Sequence, residues 1–352
     1  MNKRKTQRWV KSFFAVVLLI LLLISSIVYV IDPFFQFRVK DNSYMLRSWF
    51  VGSGLIKNYD YDTLIIGSSM TQNFNMDVFR ETLGVKPLHV GIGGMRRSEM
   101  HQLMPIAYEA EKAEQYYICV DINFFTDDDE ESRYPQYLLK TDILSRLRYF
   151  FSYEVWFRYI PVDIGFMILD RFNIEMPTKF KNSKSIDMLE YWGEDFSYSE
   201  EAVLGSYTST TARLTAEDEE ALYDKMLSNI DNYLAGFDYA KGEHSFFFPP
   251  YSAVYWCDIQ NYGSYEVILK AKQYFVEKAS LLGAEVYDFQ CADFITNLAN
   301  YSDVQHYSPE INDYMAENFG KGDYLATVET VGEFQQKLTD NIKIFSEKYP
   351  EL

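Results

Sequence analysis

Asp62-Thr63-Leu64-Ile65-Ile66-Gly67-Ser68-Ser69-Met70-Thr71 reads as a short apolar strand that runs into a Gly-Ser-Ser turn. The strand shows almost no polar alternation, which fits burial on both faces. A hydroxyl placed just after such a strand has two readings. It is a helix N-cap or a nucleophile.

Outward from this stretch the chain keeps a strand–helix rhythm. A helix over 75–83 is stopped by Gly84, and a short strand at 87–90 leads into the turn Gly91-Ile92-Gly93-Gly94. A helix over 98–115 follows, with Ser98 as its expected N-cap, then a strand at 116–121. Farther on come a helix at 216–234, a strand at 245–248 closed by Pro249-Pro250, and a helix at 265–282. A strand at 285–287 and a helix at 328–348 complete the series. Strands alternating with helices predict an α/β fold, with a parallel sheet covered on both faces. Residues of about 127–212 break the rhythm. They contain the acidic run Asp127-Asp128-Asp129-Glu130-Glu131, aromatic helix-like stretches over 138–169 and a polar loop over 177–207. This stretch is expected to be a mainly helical insertion that caps or borders the mouth of a site.

A second stretch gives the first one chemical meaning. Asp303-Val304-Gln305-His306 lies far downstream and supplies an imidazole base with a carboxylate three residues away. A serine hydroxyl is a poor nucleophile until a base takes its proton. The carboxylate can hold the other ring nitrogen and stabilise the imidazolium. Each motif alone has an ordinary reading, Gly-Ser-Ser as a cap and Asp-x-x-His as a surface turn. In a doubly wound sheet, however, chemistry gathers at the carboxyl ends of strands. Ser68, Ser69, Gly94, Asn123 and the Asp303/His306 loop are all expected there.

Four separated blocks resemble the SGNH (GDSL-like) hydrolase superfamily. Gly67-Ser68-Ser69 resembles the block whose last serine is the nucleophile. Ile92-Gly93-Gly94 resembles the block whose last glycine donates a backbone N–H to an oxyanion hole. Asp121-Ile122-Asn123 resembles the block whose Asn side chain is another donor, and Asp303-x-x-His306 resembles the block that carries the orienting acid and the base. The resemblance covers roughly 61–125 and 245–315. It implies a flavodoxin-like three-layer α/β/α sheet, with Ser69, His306 and Asp303 catalytic and Ser69, Gly94 and Asn123 forming the oxyanion hole. Ser68 stands where the family usually has Asp, His89 where it often has Asn, Asp121 where it has Gly and Phe124 where it has Asp.

Competing centres have less support. His89, His101 and His244 lack a ligand spacing and are read as structural. The acidic run has no EF-hand spacing, and Gly91-x-Gly-Gly lacks both the dinucleotide fingerprint and a Walker lysine. No Cys-x-x-Cys occurs among Cys119, Cys257 and Cys291. Cys119 is read as a buried small hydrophobe, and a Cys257–Cys291 disulfide is left open. No metal or organic cofactor is expected. Tyr251 or Ser252, in the turn after Pro249-Pro250, is a candidate pocket wall.

The first 31 residues read as a cytoplasmic tail and transmembrane signal anchor. About 20 apolar residues end at Ile31, enough to span a bilayer. Lys3, Arg4, Lys5, Arg8 and Lys11 precede most of them and place the N-terminus in the cytoplasm by the positive-inside rule. The rival reading, a cleaved signal peptide, meets a long apolar run without a small-x-small site. Residues 32–58 form a juxtamembrane connector, and 59–352 the α/β domain with its insertion. The net charge of −18 becomes −23 once the five N-terminal cations are set aside, which excludes nucleic acid as a natural partner. Sparse cysteine in an exported chain suits a bacterial cell membrane, single-pass, with the bulk of the protein extracytoplasmic.

The sequence therefore points to an extracytoplasmic serine esterase or O-acyltransferase that acts through a Ser69 acyl-enzyme. Its expected substrate is a cell-envelope glycan, teichoic-type polymer or exported polysaccharide. Its layout is similar to that of the SGNH-like proteins of lipoteichoic acid D-alanylation and alginate acetylation, which implies a membrane-bound O-acyltransferase partner. Two of the exchanged block residues, Ser68 and Phe124, motivate the alternative, a catalytically weak or inactive scaffold or binding protein beside such an acyltransferase.

Overall fold

A computed structural model describes residues 3–40, 47–128, 131–175, 185–209 and 212–352. Asp129 and Glu130 of the acidic run, and 177–184 of the polar loop, lie outside the described residues. The chain divides into two compact units. One holds residues 60–133 and 186–352, the other 1–59 and 134–185. Residues 134–185, within the stretch read as one insertion, thus group with the N-terminal segment, and 186–209 with the sheet.

The first unit is built on five parallel strands: β1 (Thr63–Gly67), β2 (Pro87–Gly91), β3 (Gln115–Cys119), β4 (Glu243–Phe248) and β5 (Glu285–Asp288). They lie in the order β2-β1-β3-β4-β5, with Thr63 level with both Pro87 and Gln115. Every residue of β1 and β2 is buried. Side chains alternate across the sheet, so the aromatic residues sort by parity. Tyr117, Phe247 and Tyr287 all meet the ring of Phe319, and Phe79 from the Met76–Leu83 helix packs on Tyr117. The intervening residues face the other way. Tyr116 meets Tyr108 of the Arg97–Ala110 helix, and Phe246 meets Tyr233 and Phe275 of the Ala216–Leu234 and Tyr265–Leu281 helices. The sheet is therefore covered by helices on both faces, the reason its strands lack polar alternation.

Local signals explain most helix ends. Asn75 accepts a hydrogen bond from Asp77 N (3.0 Å), and Gly84 closes the same helix at φ +71°. The helix expected over 98–115 is shorter. It spans Arg97–Ala110, and Ser98 lies inside it. Glu99 reaches back to accept from Arg96 N (2.9 Å), and Glu111 turns to φ +51°, which frees Gln115 to begin β3.

The second unit starts with the helix Lys3–Ile31. Within it, the 26 residues Thr6–Ile31 are long and apolar enough to cross a membrane. At 1.5 Å per residue they extend about 39 Å, beyond the ~30 Å of a bilayer's hydrocarbon. Asp32, buried at φ +40°, ends the helix. Its carboxylate accepts from the N–H groups of Gln36 (2.9 Å), Phe37 (2.9 Å) and Arg38 (3.1 Å) and from Tyr149 Oη (2.8 Å). Arg38 and Lys40 donate to the last helical carbonyls, Val30 and Ile31. Cations belong at this negative end of the helix dipole. The connector contains the helix Ser48–Asn58, whose Ser53 Oγ and Lys57 Nζ both donate to Leu138 O (3.0 and 2.6 Å).

Candidate active site

β1 delivers Ser68 and Ser69 at its carboxyl end. A tight 3-10 turn, Ser69–Thr71, follows. Ser68 O accepts from Thr71 N (3.1 Å) and Thr71 Oγ1 (2.9 Å), and Thr71 Oγ1 also bonds His89 Nε2 (3.0 Å). Burial pushes the His89 imidazole down to about 3, so it stays neutral and acts as a fixed partner of the turn. The turn also requires Gly67. A Cβ there would stand 2.5 Å from Cys119 Cβ and 2.6 Å from Thr71 Cγ2. Ser69 is only half-buried, while Ser68 beside it is buried.

The Asp303–His306 loop comes to the same place from the far end of the chain. Tyr301 and Tyr307 form an antiparallel bridge at its base. Three anchors hold it. Tyr307 Oη donates to Met70 O (2.6 Å), Tyr301 Oη to Pro250 O (2.9 Å) and Ser252 Oγ to Val304 O (2.7 Å). The first ties the histidine loop directly to the serine turn. His306 Nε2 consequently lies 2.9 Å from Ser69 Oγ, and His306 Nδ1 lies 2.7 Å from Asp303 Oδ2. The other carboxylate oxygen of Asp303 accepts from Gln305 N and His306 N, both at 2.8 Å. Burial works to raise the Asp303 carboxyl. The hydrogen bonds and charge of His306 and the two backbone N–H groups outweigh it and hold the group below the usual carboxylate range. A base between a hydroxyl and an ionised carboxylate is the arrangement that activates serine.

A cavity of about 520 Å³ opens over Ser69 and is lined by Gly94, Asn123, Tyr251 and His306 among others. Gly94 holds φ +61°, a conformation that disfavours any side chain. Asn123 begins the short helix Asn123–Thr126 and is exposed on the cavity wall. The structure thus brings Ser69, His306, Asp303, Gly94 and Asn123 to one edge of the sheet.

Four further residues had no role in the sequence motifs. Asp121, buried beneath the cavity, accepts from Tyr251 Oη (2.8 Å). Burial raises its carboxyl, and the Ser68 and Tyr251 hydroxyls with His306 only partly offset the rise. Asp121 and Ser68, two of the exchanged positions, both line the cavity. Arg133 donates to Gly94 O (2.7 Å) and grips Glu99 through Nε and Nη2 (2.9 and 3.1 Å). The Glu99 side chain is fully buried. This pair pins the peptide that follows Gly94. Trp192 packs edge-on against His306, with ring centroids 5.8 Å apart, and is held by Gln72 and Asn73. No spacing rule links these residues, because their partners lie on different loops.

The other histidines are structural. His101 Nε2 bonds Tyr233 O (3.0 Å), and His244 Nε2 bonds Tyr108 Oη (2.7 Å). The disulfide left open between Cys257 and Cys291 is not formed. Both are buried free thiols, as is Cys119. Cys291 Sγ donates to Asp288 O, and Cys257 Sγ lies 3.5 Å from Ser346 Oγ. Of the candidate pocket walls, Tyr251 lines the cavity, whereas Ser252 caps the Ala253–Tyr262 helix. Asp127 and Asp128 of the acidic run border the cavity, and Asp128 pairs with Lys225 (2.8 Å). Among the described residues no cluster of His, Cys, Asp and Glu could hold a metal ion. Fold and site together define a parallel α/β protein with a Ser–His–Asp relay at the carboxyl edge of its sheet. The chain matches no protein-family model and no curated protein.

Proposed function

We propose that this chain is a membrane-anchored serine esterase or O-acyltransferase of the SGNH type. The observation that carries the proposal is the continuous relay Ser69 Oγ–His306 Nε2–His306 Nδ1–Asp303 Oδ2, at 2.9 and 2.7 Å, beneath an open cavity. The strand order 2-1-3-4-5 supports it, since flavodoxin-like sheets share that order and bind ligands at their carboxyl edge.

In the first half-reaction His306 Nε2 takes the Ser69 proton as Oγ bonds to the acyl carbon. The oxyanion that forms is met by Ser69 N–H, Gly94 N–H and the Asn123 amide. Collapse breaks the bond to the leaving oxygen, which receives the proton from His306. In the second half-reaction His306 takes a proton from water or an acceptor hydroxyl, and that oxygen displaces Ser69. Asp303 stays ionised throughout and steadies the imidazolium.

The cavity wall is mostly polar and charged, which suits a hydroxyl-rich acceptor such as a cell-envelope glycan, teichoic-type polymer or exported polysaccharide. The N-terminal helix holds the enzyme at the membrane, with the five N-terminal cations in the cytoplasm and the sheet outside. A membrane-bound O-acyltransferase is the natural acyl donor in that setting. The test uses the full chain in detergent with a fluorophosphonate probe and a small acetyl ester. Labelling and turnover lost in Ser69→Ala support the proposal. Folded wild-type protein that neither labels nor turns over overturns it and favours a scaffold role.

A further inference from the structure

The helical unit has a buried apolar core, yet one stretch of it, 143–174, also carries many apolar residues outside. In the helix Ile143–Phe150, Ser145 and Tyr149 are buried (7% and 2% exposed), while Ile143 and Leu144 are exposed (77% and 73%), with Leu147 and Phe151 beside them. The next segment is apolar on both sides. It buries Val155, Ile160 and Phe166 together with Asp163, while Phe157, Met167, Ile168 and Phe172 face outward. Outside the N-terminal helix, the described residues of 143–174 hold eleven exposed large apolar side chains. The described residues of the sheet unit, several times more numerous, hold six, scattered along the sequence. So dense a set of exposed apolar side chains in a water-soluble domain would be a liability.

Its surroundings identify what covers it. The N-terminal helix touches both the Ile143–Phe150 and Ile160–Arg171 helices. The link is made at the end of that helix. Val28 is buried, and Asp32 accepts from Tyr149 Oη, while Phe37 stacks on Phe150 at 5.5 Å. The apolar face is thus fastened to the residues where the helix would leave the hydrocarbon. Arg146, Arg148, Arg158 and Arg171 are exposed on the same segment, opposed by Glu154 and Asp170, in a chain of net charge −18. Exposed aromatic and aliphatic residues bordered by arginine are the composition of a segment that lies in a membrane interface.

We infer that residues 143–174 lie in the head-group and acyl boundary of the bilayer entered by the N-terminal helix. The face would hold the helical unit flat on the membrane, so the chain has an interfacial attachment besides its anchor. This goes beyond the acyl-transfer proposal and does not depend on Ser69.

The test places single cysteines at Leu144, Phe157, Ile168, Leu19 and Ile344 in the full chain, whose native thiols are buried. Each variant is labelled with an environment-sensitive fluorophore and reconstituted in phosphatidylcholine–phosphatidylglycerol vesicles. Nitroxide lipids are expected to quench positions 144, 157 and 168 several-fold more than iodide does, with the strongest effect from shallow nitroxides. Position 19 should respond to deep nitroxides, and 344 to iodide alone. Positions 144, 157 and 168 behaving like 344 overturn the inference. So does protection from both quenchers, which would mean that protein covers the face. Loss of lipid quenching at position 19 overturns the anchor itself. Fluorophosphonate labelling of the same samples reports separately on Ser69.

Discussion

The two units of this chain both bury apolar side chains but differ in what they leave exposed. The sheet unit hides Phe79, Phe246, Phe275 and Phe319 and leaves hydroxyl, imidazole and carboxylate at its edge. The helical unit hides Asp32, Ser145, Tyr149 and Asp163 and exposes Leu144, Phe157 and Ile168. The same hydrophobic effect accounts for both when the solvent differs. In water apolar groups go inward, while beside hydrocarbon polar groups need internal partners. Asp32 has four such partners within hydrogen-bond distance. On the two proposals chemistry belongs to one unit and attachment to the other, and substitutions in each should separate the two.

The largest effect is expected in the sheet unit. Ser69→Ala should lower kcat for an acetyl ester by about 10^6-fold, as loss of an activated nucleophile does elsewhere. Far-ultraviolet circular dichroism and vesicle association should stay unchanged. Asp303→Asn comes next. It keeps the shape of the loop but misdirects the His306 proton, for an expected loss of about 10^4-fold in kcat with little change in KM. Asn123→Ala removes one oxyanion donor and should cost about 10^2- to 10^3-fold in kcat. An unchanged rate would remove Asn123 from the site.

The smallest effect belongs to the helical unit and to stability. Burial raises the Asp163 carboxyl from 3.8 to about 7, and Lys40 offsets this only in part. A raised carboxyl favours folding below its unfolded range, and that contribution is lost as pH rises through about 7. Asp163→Asn should therefore match wild type near pH 4 and be more stable above pH 7, on the order of 2 kcal/mol. Tm measured across that window checks the sign. Turnover at Ser69 should not follow it.

Much of the sheet unit was legible from local signals. Leu64-Ile65-Ile66 announces a doubly buried strand, and Gly84 a helix stop at φ +71°. Asp303 and His306 could be paired on paper because three residues separate them. The Arg97–Ala110 helix was misjudged at both ends. Its start is set by the Glu99 carboxylate, and its end by a left-handed Glu111 that propensity does not reveal. Asp121 was noted only as an exchange in a motif. Its hydrogen bond from Tyr251 depends on a loop distant in sequence.

The sequence alone determined the apolar N-terminal helix, the alternation of strands and helices, and the identity of the hydroxyl, base and acid. Each is encoded within a few neighbouring residues by period, spacing or a turn signal. Only the tertiary structure decided that Ser69 and His306, 237 residues apart, stand 2.9 Å from each other. It also decided that Arg133 pins Gly94 and that the Ile143–Phe150 helix turns its leucines outward. That helix gathers Ile143, Leu144, Leu147 and Phe150 on one face, but its periodicity alone cannot say whether that face meets the protein or its surroundings. Packing on the Asp32 turn makes the choice, by giving Tyr149 a buried carboxylate to bond.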